Sequence, residues 1–265
     1  MKNAIVMGGT HRDFDAMATL VINIMDVMPK LEADIIIFHD GISVEEQRRL
    51  NSVRPVRFVR YKAPIHYWQM FMNPNIRYFS NVIFCKYETL KLLDEYQTVL
   101  WTDYDVVIKE DISDLFASCK GATFVTNGIS KLQDMFYEKK IPILEKRFHG
   151  DYRMDEQAIT TPLFIFSREI GDYVKYYNWC NTITRKYCSF LSLPEQAVFS
   201  MMIQKFQIPY DELSNEIYAL HPRYDKQTAK IVHAYGQPKF WNGYNDERWN
   251  MYNKRWHEQG DESNA

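Results

Sequence analysis

Two carboxylates one residue apart, Asp103 and Asp105, are held between the apolar runs 99–101 and 106–108. Acids in so apolar a setting are costly to bury, and an unpaired one either shifts its pKa or finds a cation. In extended backbone, residues two apart point to the same side, so both carboxylates can face one ion. At the end of a parallel strand, where open α/β sheets keep their ligands, that cation is a divalent metal. Oxygen ligation suits Mg²⁺ or Mn²⁺, with substrate phosphates completing the shell. The competing reading is a turn in which Asp side chains accept backbone N–H groups. A second constellation runs His233-Ala234-Tyr235-Gly236-Gln237-Pro238-Lys239-Phe240-Trp241. His233 closes a short apolar run, and its imidazole can complete the ligand set of Mn²⁺. Gly236 allows close backbone approach to a ligand, and Lys239 offers a point charge to phosphate. A core histidine followed by a loop is the plainer alternative for this stretch taken alone.

The elements that must hold these residues follow from periodicity. Residues 4–7 read as a short buried strand that ends in a turn at 8–10. Residues 14–28 carry apolar side chains at helical spacing and stop at Pro29. A second buried strand at 34–39 is followed by a charged helix at 43–51, with Ser43 and Glu46 forming a capping box. A third strand occupies 56–61, and this alternation implies a parallel sheet with right-handed crossovers. Residues 79–96 are predicted helical and deliver the chain to the strand that ends in Asp103. Downstream, Asp111 is read as the cap of a short helix at 112–116, and 121–126 as a strand. Residues 158–167 read as a strand in which Pro162 argues for an edge or a bulge. A long helix spans 168–191, and Ser192 with Glu195 forms a capping box for another that runs to 206. Short strands at 208–218, a last strand at 229–234 and an aromatic helix at 246–256 complete the chain. Two regions, 62–78 and 130–157, are irregular and aromatic.

No internal repeat, low-complexity tract or linker divides the 265 residues, which read as one α/β domain over 1–257 with a disordered tail at 258–265. A net charge of −2 gives no basic field for nucleic acid. The four cysteines lack C-x-x-C spacing, which argues against a zinc site and fits a reducing compartment. The N-terminus lacks a signal-peptide layout and no apolar run is long enough to cross a bilayer, so a cytoplasmic location is expected.

The two constellations together resemble family 8 of the glycosyltransferases, the retaining group that includes glycogenin and bacterial lipopolysaccharide galactosyl- and glucosyltransferases. The strand-then-D-x-D pattern is matched over residues 99–116, and the C-terminal H-x-x-G-x-x-K-P-W pattern by His233, Gly236, Lys239 and Trp241, with Phe240 in the proline's place. The resemblance spans residues 5–241. It implies a single-domain GT-A fold, the nucleotide-diphospho-sugar transferase fold, with a mixed, mostly parallel central sheet flanked by helices. It further implies Asp103, Asp105 and His233 as ligands of Mn²⁺ or Mg²⁺, and Gly236 and Lys239 as contacts of the donor diphosphate. Lys86 stands where the family usually has an Arg facing the donor, a change that keeps the charge and loses the bidentate fork. Glu195-Gln196 matches the acid–Gln pair near the anomeric carbon, although Glu195 is also the third residue of the capping box. The loop that contacts the nucleoside is replaced by residues 8–13, with Gly8 and Thr10 as its donor-side positions. The Asn-Ser/Ala-Gly segment that reads the sugar appears as Thr160-Thr161-Pro162, without its glycine and amide.

The function implied is metal-dependent transfer of a hexose from a UDP-sugar to a glycan or glycolipid acceptor in cell-surface polysaccharide synthesis. Retention is expected through same-face attack assisted by the leaving phosphate, with a double displacement through Gln196 or a nearby acid as the alternative. Trp68, Tyr67 and Tyr152 are candidates for stacking on the acceptor. Residues 221–256 hold seven Lys or Arg against three acids, together with Trp241, Trp249 and Trp256. They read either as a helix docked on the body or as a peripheral contact with the inner face of the membrane. Two further readings are a nucleotidyltransferase, which would use residues 8–12 as a phosphate loop, and a non-catalytic nucleotide- or sugar-binding relative.

Overall fold

The structure, a computed structural model, describes residues 2–261. Its strands are β1 (Asn3–Gly9), β2 (Ala33–His39), β3 (Val56–Arg60), β4 (Thr98–Thr102), β5 (Val106–Ile108), β6 (Ala122–Thr126), β7 (Thr160–Ser167), β8 (Asp211–Ser214) and β9 (Ile231–His233). Its helices are α1 (Phe14–Val27), α2 (Val44–Val53), α3 (Tyr67–Phe71), α4 (Pro74–Phe79), α5 (Glu88–Lys91), α6 (Asp114–Ser118), α7 (Ile141–Phe148), α8 (Tyr173–Tyr187), α9 (Pro194–Phe206), α10 (Asn215–Tyr218) and α11 (Glu247–Asp261).

Side chains alternate across a strand, and β1 uses both faces. Ala4 and Val6 join one apolar core while Ile5 and Met7 join the other. A strand covered on both sides reads as an unbroken apolar run. A seven-stranded sheet results, in the order β3-β2-β1-β4-β7-β6-β8. β1 pairs in parallel with β2 and β4, and β2 with β3. β7 enters antiparallel between β4 and β6, and β8 lies parallel to β6. The direction of winding reverses between β1 and β4, so the ends of these two strands border the crevice where such sheets keep ligands. The mixed, mostly parallel GT-A sheet expected from the resemblance is what the chain forms.

A separate two-stranded ribbon pairs β5 with β9 antiparallel, with Val106 opposite His233. It carries the chain away from Asp103 and brings His233 back beside Asp105. The capping box at α2 forms as the sequence implies: Ser43 Oγ accepts from Glu46 N–H, and Glu46 accepts from Ser43 N–H at 2.8 Å.

Several local expectations change. The predicted helix 79–96 is a broken rod: α4 ends at Phe79, a 3₁₀ helix runs Asn81–Tyr87, and α5 is a single turn. Asp111 caps no helix; its carboxylate accepts from Ser113 N–H, and α6 begins at Asp114. The long helix predicted over 168–191 shrinks to α8, because Gly171 adopts a φ of 84° before it and 3₁₀ turns flank it. β7 is a central strand rather than an edge. It tolerates Pro162 because the β6–β7 register slips there, from Phe124 opposite Phe164 to Val125 opposite Thr160. The bulge half of the expectation is therefore met. The capping box of Ser192 and Glu195 does not form, since Leu193 is the N-cap of α9 and the Glu195 carboxylate is engaged elsewhere.

α11 runs on through Asp261, so it includes the first four residues of the stretch assigned to the tail; residues 262–265 lie outside the described residues. It docks on α1. Phe14 meets Trp256 edge-on at 5.7 Å, Trp256 Nε1 donates to Asp15, and Arg255 pairs with Asp26. Trp256 is buried in this contact and Trp249 against the β5–β9 ribbon, so of the two readings of this segment the docked helix is the one the packing favours. No helix among the described residues is long and apolar enough to cross a membrane.

Candidate active site

Asp103 follows the last residue of β4, and the backbone bends before β5. Two main-chain bonds fix the bend. Asp103 N–H donates to Pro162 O at 2.8 Å, and Ala234 N–H donates to Asp105 O at 2.9 Å. The first ties the bend to the β7 bulge and the second ties it to β9. One ligand atom each from Asp103, Asp105 and His233 lies within 4.8 Å of the others. His233 Nε2 is 3.2 Å from Asp105 Oδ1 and 3.8 Å from Asp103 Oδ2. Among the described residues neither carboxylate accepts a backbone N–H, which argues against the turn reading. Two hard carboxylates and an imidazole converging at this distance form a donor set that fits Mn²⁺ or Mg²⁺.

Lys239 approaches the same cluster from the loop after β9. Its ammonium pairs with Asp105 Oδ2 and donates to Ala234 O at 2.9 Å. Burial works against the charged form of Asp105, but His233 and Lys239 outweigh it and hold this carboxyl well below the ordinary range. Asp103 is pushed the other way, by burial first and by its neighbour Asp105, against the pull of Lys86. Gly236 takes a φ of 74°, and a side chain there would meet nothing within 4 Å. Its glycine serves the left-handed turn, and the space above it is open. Trp241 stacks on Tyr104 at 6.0 Å and closes the other side of the bend.

On the far side of Asp103 sits Lys86, buried in the 3₁₀ segment after α4. The resemblance places it facing the donor. In the structure its ammonium is ringed by protein oxygens: Asp103 Oδ1, Glu195 Oε1 and Thr161 O at 3.0 Å each, and Thr161 Oγ1 at 3.2 Å. An ammonium has three protons, so four acceptors leave none for a ligand. Burial disfavours its charge, but Asp103 and Glu195 outweigh that and raise the amine above its ordinary value. Trp101 Nε1 donates to Asp103 Oδ1 at 2.9 Å and further fixes that oxygen.

Glu195 and Gln196 lie in the first turn of α9. Thr161 Oγ1 donates to Glu195 Oε1 at 2.8 Å, and Thr161 N–H donates to Gln196 Oε1 at 3.2 Å. The acidic pair, Lys86 and the acid–Gln pair are thus brought into one network, with Thr161 at its centre. Sequence reasoning saw Thr161 only as part of a departure. The available signal was the coincidence of two departures, a Lys for an Arg and a Thr-Pro for a glycine.

Gly8 ends inside β1, where a Cβ would collide with Cys85 Sγ and come within 3.2 Å of Phe38 O. Packing alone accounts for that glycine. The N–H and hydroxyl of Thr10 both donate to Asp13 Oδ2, at 2.8 and 2.7 Å. Residues 8–13 therefore form a strand end and a capped 3₁₀ turn rather than a phosphate loop. Of the stacking candidates, Trp68 is 60% exposed and lies parallel to His66 at 6.4 Å, while Tyr152 packs against Phe148 at 4.7 Å. The side chain of Tyr67 lies outside the described residues. Gln237 Nε2 reaches Tyr78 OH at 3.4 Å, which joins the loop after β9 to α4.

The model of glycosyl transferase family 8 matches residues 4–153. No curated protein sequence matches the chain. Among solved structures, the galactosyltransferase LgtC, in complex with donor and acceptor sugar analogues, is similar at 14% identity and a TM-score of 0.64, over 97% of this chain and 94% of that one. The apo structure of the bifunctional glycosyltransferase WbbM is similar at 13% identity and a TM-score of 0.68, over 97% of this chain and 51% of that one, so this chain spans about half of its length. The glycosyltransferase GlyE of Streptococcus pneumoniae TIGR4 is similar at 14% identity and a TM-score of 0.61, over 98% of this chain and 64% of that one.

Proposed function

This chain belongs to glycosyl transferase family 8, and from that premise we propose that it transfers a hexose, with retention, from a UDP-sugar to a glycan or glycolipid acceptor. The observation that carries the reading is the convergence of Asp103, Asp105 and His233 beside a lysine at the end of the sheet's switch strands. Asp103, Asp105 and His233 would hold Mn²⁺ or Mg²⁺. The chemistry such an ion supplies there is charge stabilisation for the departing diphosphate.

Lys239 is the mobile partner in this proposal. Its ammonium pairs with Asp105 in the absence of ligand and turns to the diphosphate in its presence, next to the open backbone at Gly236. Charge that grows on the leaving group strengthens this contact in the transition state more than in the ground state. The amide oxygen of Gln196 is committed to Thr161 N–H, which supports same-face attack over a double displacement through Gln196. Gly8 and Thr10 border the nucleoside end as backbone and packing elements. Trp68 offers an exposed face to the acceptor.

The test is release of UDP from UDP-glucose and UDP-galactose by purified protein with Mn²⁺, with and without EDTA. Metal-dependent UDP release supports the reading. Release of the sugar 1-phosphate, the product that uridylyl transfer from these donors leaves, or the absence of both turnover and UDP binding, overturns it.

A further inference from the structure

We propose that Thr161 is a positioning residue that turns Glu195 and Gln196 into a reader for a neutral, hydroxyl-bearing sugar. The inference rests on the nucleotide-sugar reading of this site. Thr161 is 1% exposed and sits in the β7 bulge, where the register slip frees its polar groups from the sheet. Each of those groups is spent on the site. Its N–H holds Gln196 Oε1, its hydroxyl donates to Glu195 Oε1, and both its hydroxyl and its carbonyl accept from Lys86 Nζ.

These contacts decide which atoms remain. Because a backbone N–H must meet an acceptor, the Gln196 amide is oriented with its oxygen toward Thr161 and its NH₂ away. Glu195 likewise turns Oε1 toward both Lys86 and Thr161. Glu195 Oε2 and Gln196 Nε2 take no hydrogen bond among the described residues, and neither belongs to the buried unpaired atoms there. One carboxylate oxygen and one amide NH₂ are therefore left in the first turn of α9 for a ligand. The Lys86 ammonium, engaged by Asp103, Glu195 and Thr161, is not free to receive an acidic sugar. A hydroxyl can donate to Glu195 Oε2 and an oxygen can accept from Gln196 Nε2, whereas a uronic acid would set carboxylate against carboxylate.

The experiment compares the parent with Thr161→Val, which removes the hydroxyl and keeps the backbone, and with Thr161→Ser, which restores it. Binding of UDP, UDP-glucose, UDP-galactose and UDP-glucuronic acid with Mn²⁺ is measured by calorimetry, and UDP release gives kcat and KM. In the parent, at least one neutral UDP-hexose should bind about tenfold tighter than UDP-glucuronic acid or better. Thr161→Val should keep its affinity for UDP within about twofold while kcat falls about tenfold to a hundredfold, since a hydrogen bond to a charged group is lost. Thr161→Ser should recover most of that loss. Parental kcat in folded Thr161→Val, failure of Thr161→Ser to recover, or equal binding of UDP-glucuronic acid overturns the inference while UDP binding keeps the parent reading intact. Failure of the parent to bind UDP with Mn²⁺ overturns both.

Discussion

Lys239 and Lys86 each pair with one carboxylate of the D-x-D bend, yet the two ends they serve are built for different tasks. Lys239 arrives on a loop and pairs with Asp105, three residues after a glycine with open space above it. Lys86 lies in the core between Asp103, Glu195 and Thr161, with every proton in use. A cation with a single carboxylate partner and room to move can exchange that partner for a ligand. A cation enclosed by four oxygens acts instead as structure, balancing two buried acids that would otherwise face each other. The lysine that the resemblance sets facing the donor is enclosed in the frame of this chain.

Breaking that contrast should show first in stability. Lys86→Met leaves Asp103 and Glu195 without their cation and is expected to cost about 3–5 kcal/mol in urea unfolding, part of which Glu195→Gln in the same chain should recover. Asp105→Asn strikes the exchangeable end. UDP release with Mn²⁺ should fall about a hundredfold or more in protein that still folds, and the unfolding midpoint should fall by less than in Lys86→Met. Unchanged turnover would remove Asp105 from the ligand set. Lys239→Ala should act with opposite signs on two measurements. UDP binding should weaken roughly tenfold, while Mn²⁺ alone binds more tightly because its competitor for Asp105 is gone. If both weaken, Lys239 is a scaffold like Lys86.

The smallest effect belongs to the docked terminal helix. Arg255 and Tyr252 hold the Asp26 carboxyl below its ordinary value, and at Asp225 burial works against the charge but Lys109 and Arg248 outweigh it. Groups lowered in the folded state stabilise above the unfolded value near about 3.9, and that stability is lost as pH falls through the folded value. Asp26 is exposed, so Asp26→Asn should cost less than about 1 kcal/mol at neutral pH, and the difference from the parent should vanish in acid melts.

The exchangeable end was legible in the sequence and the enclosed end was not. Asp103, Asp105, His233 and Lys239 carry their chemistry in residue type, and strand periodicity places the first three at strand ends. The parallel half of the sheet was equally plain, since β1 to β3 alternate with α1 and α2. Glu195 was ambiguous because S-x-x-E is a local pattern, and local spacing does not reveal that Lys86, 109 residues away, holds the carboxylate instead. Pro162 signalled irregularity correctly but not its use. A bulge inside a central strand exposes backbone groups only toward whatever tertiary contact fills them. The helix expected before β4 is broken, and the 3₁₀ segment within it is the one that carries Lys86.

The β5–β9 ribbon also sets an order of manufacture. Every strand of the seven-stranded sheet has been synthesised by Ser214, but His233 and Lys239 come later. At about 5–20 residues per second, the ribosome completes the frame a few seconds before it adds the imidazole and the ammonium. A polypeptide interrupted in that interval keeps all seven strands of its main sheet and has neither the imidazole nor the exchangeable ammonium. The side chains that complete the proposed ion site are therefore added after the frame that holds them.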